Sequence, residues 1–153
     1  YQLHASPNHP KSRGEITLNS SDPYDYPKIL FNYLKEEEDL KQTRECIHVA
    51  RKILSQPALA EHAGDEVGPG FDAQSDDELN EYVRSKADTA YHPCGTCKMG
   101  VDGMAVVDQD LKVNGIGNLR VIDASVIPEI PSANLNAPTL MIAEKGSEAI
   151  LNN

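Results

Sequence analysis

The sequence predicts an α+β fold, a mostly antiparallel sheet with helices on one side, from three observations. Short runs of β-type residues recur between turn signals, two stretches carry apolar residues at the helical period, and a proline opens a nearly all-apolar C-terminal stretch. A chain of 153 residues is long enough to bury a core of its own.

The elements follow in order. Ser12 to Leu18 places Ile16 and Leu18 in alternation and is closed by Asn19-Ser-Ser-Asp-Pro23, so it reads as a strand ending in a turn. Lys28 to Asn32 is a second short strand. From Glu36 to Leu54, Leu40, Ile47, Ala50 and Leu54 keep the helical period, and Glu37 stands four residues before Lys41 on the solvated side. Glu61 to Gln74, rich in glycine and proline, is loop. Ser75-Asp-Asp-Glu78 has capping-box spacing, which predicts a helix running to about Lys86 with Leu79 and Val83 facing inward. Ala105 to Asp108 and Leu119 to Asp123 are β-like runs separated by the turn residues Asn114 to Gly117. Pro138 fits a first helical position, so the last helix is expected from Thr139 to about Leu151. Its apolar character at Leu140, Met141, Ile142 and Ala143, with small residues at Ala143 and Gly146, suits burial and the close approach of another backbone.

With 24 acidic against 14 basic residues, a net charge of −10 argues against nucleic acid or an anionic membrane surface as partner, since either would need a basic stripe. No apolar run is long enough to span a membrane, and no charged-then-apolar leader is present. A start at Tyr1 on a polar loop is expected of a piece of a longer polypeptide. Cys46, Cys94 and Cys97 are too few for a disulfide scaffold, while the sequon Asn19-Ser-Ser21 leans the reading towards a secreted protein.

The chemistry concentrates in two segments. His92-Pro-Cys-Gly-Thr-Cys-Lys-Met-Gly100 sets an imidazole on a glycine-containing turn, and Pro131 to Thr139 sets Asn134 just before a helix start. A histidine takes a proton near neutral pH and a carboxamide donates to the oxygen left behind, so the pair can bracket a hydroxyl group. Within the same turn, Cys94-Gly-Thr-Cys97 admits three readings: a redox dithiol, half of a zinc site completed by His92, or two thiols, buried or disulfide-linked, in a tight turn. The last is preferred. The dithiol follows a helix rather than opening one, and no second pair of ligands at metal spacing accompanies it.

Three ordered blocks, Tyr91 to Gly100, Leu119-Arg-Val-Ile-Asp-Ala-Ser-Val-Ile-Pro128 and Ser132-Ala-Asn-Leu-Asn-Ala-Pro-Thr139, resemble the C-terminal signatures of the glucose–methanol–choline (GMC) flavoprotein oxidoreductases. The choline dehydrogenase and insect glucose dehydrogenase types are nearest, and Ser12-Arg-Gly, Asp22-Pro and Asn32-Tyr-Leu34 extend the likeness over nearly the whole chain. The resemblance implies FAD as cofactor and a small alcohol or sugar as substrate. His92 would accept the hydroxyl proton as hydride passes to flavin N5, and Asn134 would hold the oxygen. Asp123 and Ala124 would approach the ribityl and diphosphate region through backbone groups. Asn136, Ala137 and Pro138 would lie against the isoalloxazine edge, where a helix N-terminus favours the negative charge of reduced flavin.

The same resemblance implies that residues 1–104 form the substrate-binding domain with the histidine loop, and that 105–153 return as a strand and helix to complete the FAD-binding domain. Gly115-Ile-Gly117 lacks the third glycine and the helix of a dinucleotide-binding turn. FAD is therefore expected to need an N-terminal portion of the enzyme as partner. The alternatives are a non-catalytic binding or structural chain with the same fold and, less favoured, a small zinc or dithiol module.

Overall fold

The structure is a computed structural model and describes residues 1–152. It has two strands, β1 (Glu15–Thr17) and β2 (Lys28–Leu30), and three α-helices, α1 (Glu37–Leu54), α2 (Asp76–Lys86) and α3 (Asn136–Leu151). Short 3-10 helices occupy Pro57–His62 and Ala124–Val126. The α+β class holds, but the sheet is small. β1 and β2 form an antiparallel pair, and the β-like runs between 99 and 120 meet only as isolated bridges, Met99 with Val107, Val107 with Val113 and Lys112 with Arg120. Positive φ at Leu111 (63°), Gly115 (80°) and Asn118 (60°) explains why these runs stay short, since each turns the chain before a ladder can grow.

The described residues divide into two units, Tyr1–Gly14 with Ile29–Asp88, and Glu15–Lys28 with residues 89–152. In the first, α1 packs on α2, with Leu40, Leu79 and Val83 buried as the periodicity requires; Ile47, Ala50 and Leu54 are only half-buried. The capping box at the start of α2 forms: Glu78 N–H donates to Ser75 Oγ (3.3 Å), and Ser75 N–H donates back to Glu78 Oε2 (2.9 Å). Arg51 ties the following loop to α1, its Nε donating to both Glu66 oxygens (3.0 and 3.1 Å) and its Nη2 to the carbonyls of Gly70 and Ala73 (2.9 Å each).

The first unit also buries a carboxylate that the periodicity did not single out. Asp39 is 2% exposed and accepts from the N–H groups of Lys11 (2.6 Å) and Ser12 (2.7 Å), which straps the N-terminal segment onto α1. Burial pushes this carboxyl up, but the two backbone donors, the Ser12 side chain and the Arg13 charge outweigh it and hold the group below its ordinary value.

In the second unit a core of Val107, Leu111, Val126, Ile127, Leu135 and Ile142 is flanked by Cys94, Met99, Val113, Ile122 and Ile130. α3 begins at Asn136, three residues before the expected Thr139, so Pro138 is its third residue rather than its first. The displacement costs nothing, because none of the first three N–H groups of a helix has an intrahelical acceptor. Ile142 and Gly146 are buried, while Leu140 and Met141 are 59% and 56% exposed. Gly146 receives the Ile122 side chain of its own unit: a methyl group at that position would overlap Ile122 Cγ2 and Cδ1.

Two outcomes follow from this packing. Gly146→Ala gains about 1 kcal/mol of helix propensity but loses about 1–3 kcal/mol to overpacking against a stiff, β-branched neighbour. A net fall in thermal stability is expected, relieved in the Gly146→Ala/Ile122→Ala double variant relative to the sum of the single changes. Asp39→Asn should destabilise by about 2 kcal/mol at pH 7, the scale of a lost hydrogen bond to a charged group. Because the folded carboxyl titrates below its unfolded value of 3.8, that contribution is full above about pH 4 and fades as pH falls through the folded value. Denaturant unfolding at neutral and acid pH should therefore show the gap between wild type and Asp39→Asn closing on acidification.

Candidate active site

The histidine loop is shaped by its own turn and by two backbone clamps. Tyr91 (φ 59°) and Gly95 (φ 88°) sit in the left-handed region, and Lys98 N–H closes a turn on Gly95 O (3.2 Å). Cys97 N–H then donates to Ser125 O (3.0 Å) and Met99 N–H to Val126 O (2.8 Å), while Val106 N–H returns to Lys98 O (3.0 Å). Cys94 packs against the core, so the loop is fastened on its inner side and His92 stands half-buried beyond it. Past the turn, the Lys98 ammonium and Met104 N–H grip Asp102 (2.8 Å each), the lysine first among the causes that hold that carboxyl below its ordinary value.

The carbonyls of Ser125 and Val126 that receive these donors belong to the 3-10 turn that Asp123 opens. Asp123 Oδ1 accepts from Ser125 N–H (2.8 Å), and the carbonyls of Asp123 and Ala124 take the N–H groups of Val126 (3.3 Å) and Ile127 (3.2 Å). Asp123 is exposed and Ala124 half-buried. The segment expected at a cofactor thus also holds the histidine loop in place.

Forty-two residues separate His92 from Asn134, and the fold brings them into contact: Asn134 Nδ2 lies 2.8 Å from His92 Nε2. The other end of the same carboxamide, Oδ1, accepts the N–H of Asn136 (2.8 Å), doing for the start of α3 what an N-cap side chain does. The donors at this helix start can be accounted for one by one. The Asn136 N–H is taken, Pro138 has none, and Thr139 N–H reaches Leu135 O (3.0 Å). That leaves Ala137, exposed, with a backbone N–H that meets no acceptor among the described residues. A group with an acceptor edge fits there.

Cys94 and Cys97 are half-buried and not joined in a disulfide. Among the described residues no three or more His, Cys, Asp or Glu side chains converge as metal ligands. Cys46 lies on α1, its thiol pushed up by burial and then by Glu45. A surface cleft lined by Asp110, Leu111, Lys145 and Glu148 includes neither His92 nor Asn134.

Residues 10–143 match the family model described as GMC oxidoreductase, in its C-terminal part. The chain belongs to the GMC oxidoreductase family. It is 50% identical over its whole length to an oxygen-dependent choline dehydrogenase of Photobacterium profundum, of which it covers 27%. A solved fungal aryl-alcohol oxidase superposes with a TM-score of 0.85 at 35% identity, over 95% of this chain and 24% of that one. An FAD-dependent oxidoreductase from Chaetomium thermophilum superposes with a TM-score of 0.88 at 27% identity, over 94% of this chain and 25% of that one. The chain therefore spans about a quarter of the length of the proteins it matches. Its similarity lies on the choline dehydrogenase side of the expected resemblance, and nothing in it supports the insect glucose dehydrogenase side. Among the described residues, no helix of this GMC chain is long and apolar enough to cross a membrane.

The sequence pointed to His92 and Asn134 but not to the clamps. Cys97 N–H, Met99 N–H and the Ser125 and Val126 carbonyls are backbone groups, which leave no signature in residue types; only Gly95 marked the turn. Gly95→Ala is expected to cost about 1–2 kcal/mol of stability, the penalty of a Cβ in the left-handed region. Chemical denaturation would show it, and an unchanged midpoint would mean that the turn relaxes to negative φ.

Proposed function

We propose that this chain is the C-terminal, substrate-side portion of an FAD-dependent enzyme that oxidises the CH–OH group of an alcohol, with choline the first substrate to test. The observation that carries the reading is the 2.8 Å contact between His92 Nε2 and Asn134 Nδ2 in a GMC chain. Half identity over the full chain to a choline dehydrogenase favours choline over a sugar or a generic alcohol.

A hydroxyl group is complementary to this pair because one oxygen is both donor and acceptor. It would enter between the two side chains, giving its proton to His92 Nε2 and accepting from Asn134 Nδ2, so that each nitrogen exchanges one hydrogen bond for another. His92 then acts as the general base, and Asn134 steadies the negative charge growing on the oxygen without adding a fixed charge. FAD, when bound, supplies the acceptor for the hydride that leaves carbon, chemistry that no side chain here can supply. The residues that would hold it are Asn136, Ala137 and Pro138, with the unpartnered Ala137 N–H as donor, and Asp123 with Ala124 through backbone groups. In this reading residues 1–104 serve the substrate domain and 105–153 complete an FAD-binding domain contributed by an N-terminal portion of the enzyme.

His92→Ala in the complete protein should lower choline turnover by about 10²-fold or more while the flavin spectrum is retained, the scale of a lost general base. Steady-state oxidation with an artificial electron acceptor, read beside the visible absorbance, makes the comparison. Near-normal turnover would remove His92 from the mechanism, and loss of flavin would make it a structural residue.

A further inference from the structure

We infer that the backbone N–H of Asn136, at the start of α3, selects the proton arrangement of the pair: through the Asn134 carboxamide it fixes His92 with its proton on Nδ1 and a lone pair on Nε2. A carboxamide has a donor end and an acceptor end of nearly the same shape, and its orientation must be settled by partners whose roles are unambiguous. Here one partner is unambiguous. A backbone N–H only donates, and that of Asn136 lies 2.8 Å from one end of Asn134, so that end is Oδ1. The remaining end is Nδ2, which only donates, and it lies 2.8 Å from His92 Nε2. Two N–H groups cannot face each other at hydrogen-bond distance, so Nε2 carries no proton. In the neutral ring the single proton is then on Nδ1.

The relay from Asn136 N–H through Oδ1 and Nδ2 to Nε2 contains no titratable group until it reaches the imidazole. Asn136 therefore acts as a positioning residue through its main chain, whatever its side chain does. The consequence for chemistry rests on the function proposed above: the resting ring presents its lone pair at the atom that would receive the hydroxyl proton, so no change of tautomer has to precede the reaction. It also gives α3 a second task, since its first N–H orients the base through Asn134 while the Ala137 N–H stays available.

The test is histidine-selective ¹⁵N NMR of the full-length polypeptide under conditions where His92 is neutral, its signals assigned by their loss in His92→Gln. The expected pattern is a pyrrole-type Nδ1 and a pyridine-type Nε2. A protonated Nε2, or the averaged shifts of a ring exchanging freely between tautomers, would overturn the inference. Asn134→Asp supplies the complementary reading. A carboxylate of the same shape still accepts from Asn136 N–H but can only accept from His92, so the pattern should reverse to a protonated Nε2. An unchanged pattern in Asn134→Asp would show that Asn134 does not select the tautomer. The two readings fail separately: normal turnover of His92→Ala would sink the proposed function and leave the tautomer assignment standing, while a reversed wild-type pattern would do the opposite.

Discussion

Two backbone hydrogen bonds, from Cys97 N–H to Ser125 O and from Met99 N–H to Val126 O, hold the histidine loop against the turn that leads towards α3. Everything proposed for the site depends on them. A histidine on a free loop would sample many orientations, and meeting a carboxamide forty-two residues away would cost the ordering entropy of both segments. Here that ordering is shared with the core: Cys94 and Met99 pack against it, and Val126, Ile127 and Leu135 are part of it. The burial that stabilises the second unit is thus the same burial that aligns His92 with Asn134. Backbone clamps and core burial together hold the two side chains in one geometry.

Much of the helical architecture was legible because it rests on local rules. The Leu40, Leu79 and Val83 positions follow from the helical period, and Ser75 with Glu78 follows from the capping box, since each concerns residues within a turn or two of one another. The strands were legible as existing but not in extent. β1 and β2 are three residues each and exposed throughout, so no burial pattern disciplines them, and the residues between 99 and 120 trade a ladder for turns at positive φ. The start of α3 was misplaced because proline reports only a missing donor, which suits any of the first three helical positions. What fixed the start was Asn134, whose side chain caps Asn136 N–H from two residues away.

The site divides in the same way. His92, Asn134 and the segments around Asp123 and Asn136 were legible through motif blocks, each a short stretch of residue types. Their mutual geometry was not, because it is written in main-chain donors and acceptors. The buried Asp39 shows the limit most clearly. It is an acidic residue in the first turn of a helix, where the dipole favours negative charge, and it is nearly fully buried and accepts two N–H groups from a segment almost thirty residues away. Gly146 is a parallel case: a small residue in an apolar helix suggested the approach of another backbone, whereas it is the Ile122 side chain of its own unit that fills the space.

The central claim is that His92 and Asn134 act together on one substrate oxygen. The most direct measurement is a double-mutant cycle on the rate of flavin reduction, with the complete protein mixed anaerobically with choline and compared with His92→Gln, Asn134→Leu and the double variant. Groups that serve the same atom as a unit lose their effects non-additively. The account predicts that the double variant is no slower than the slower single variant by more than a small factor. Losses that multiply would mean that the two residues act independently, and losses absent from either single variant would contradict the account outright.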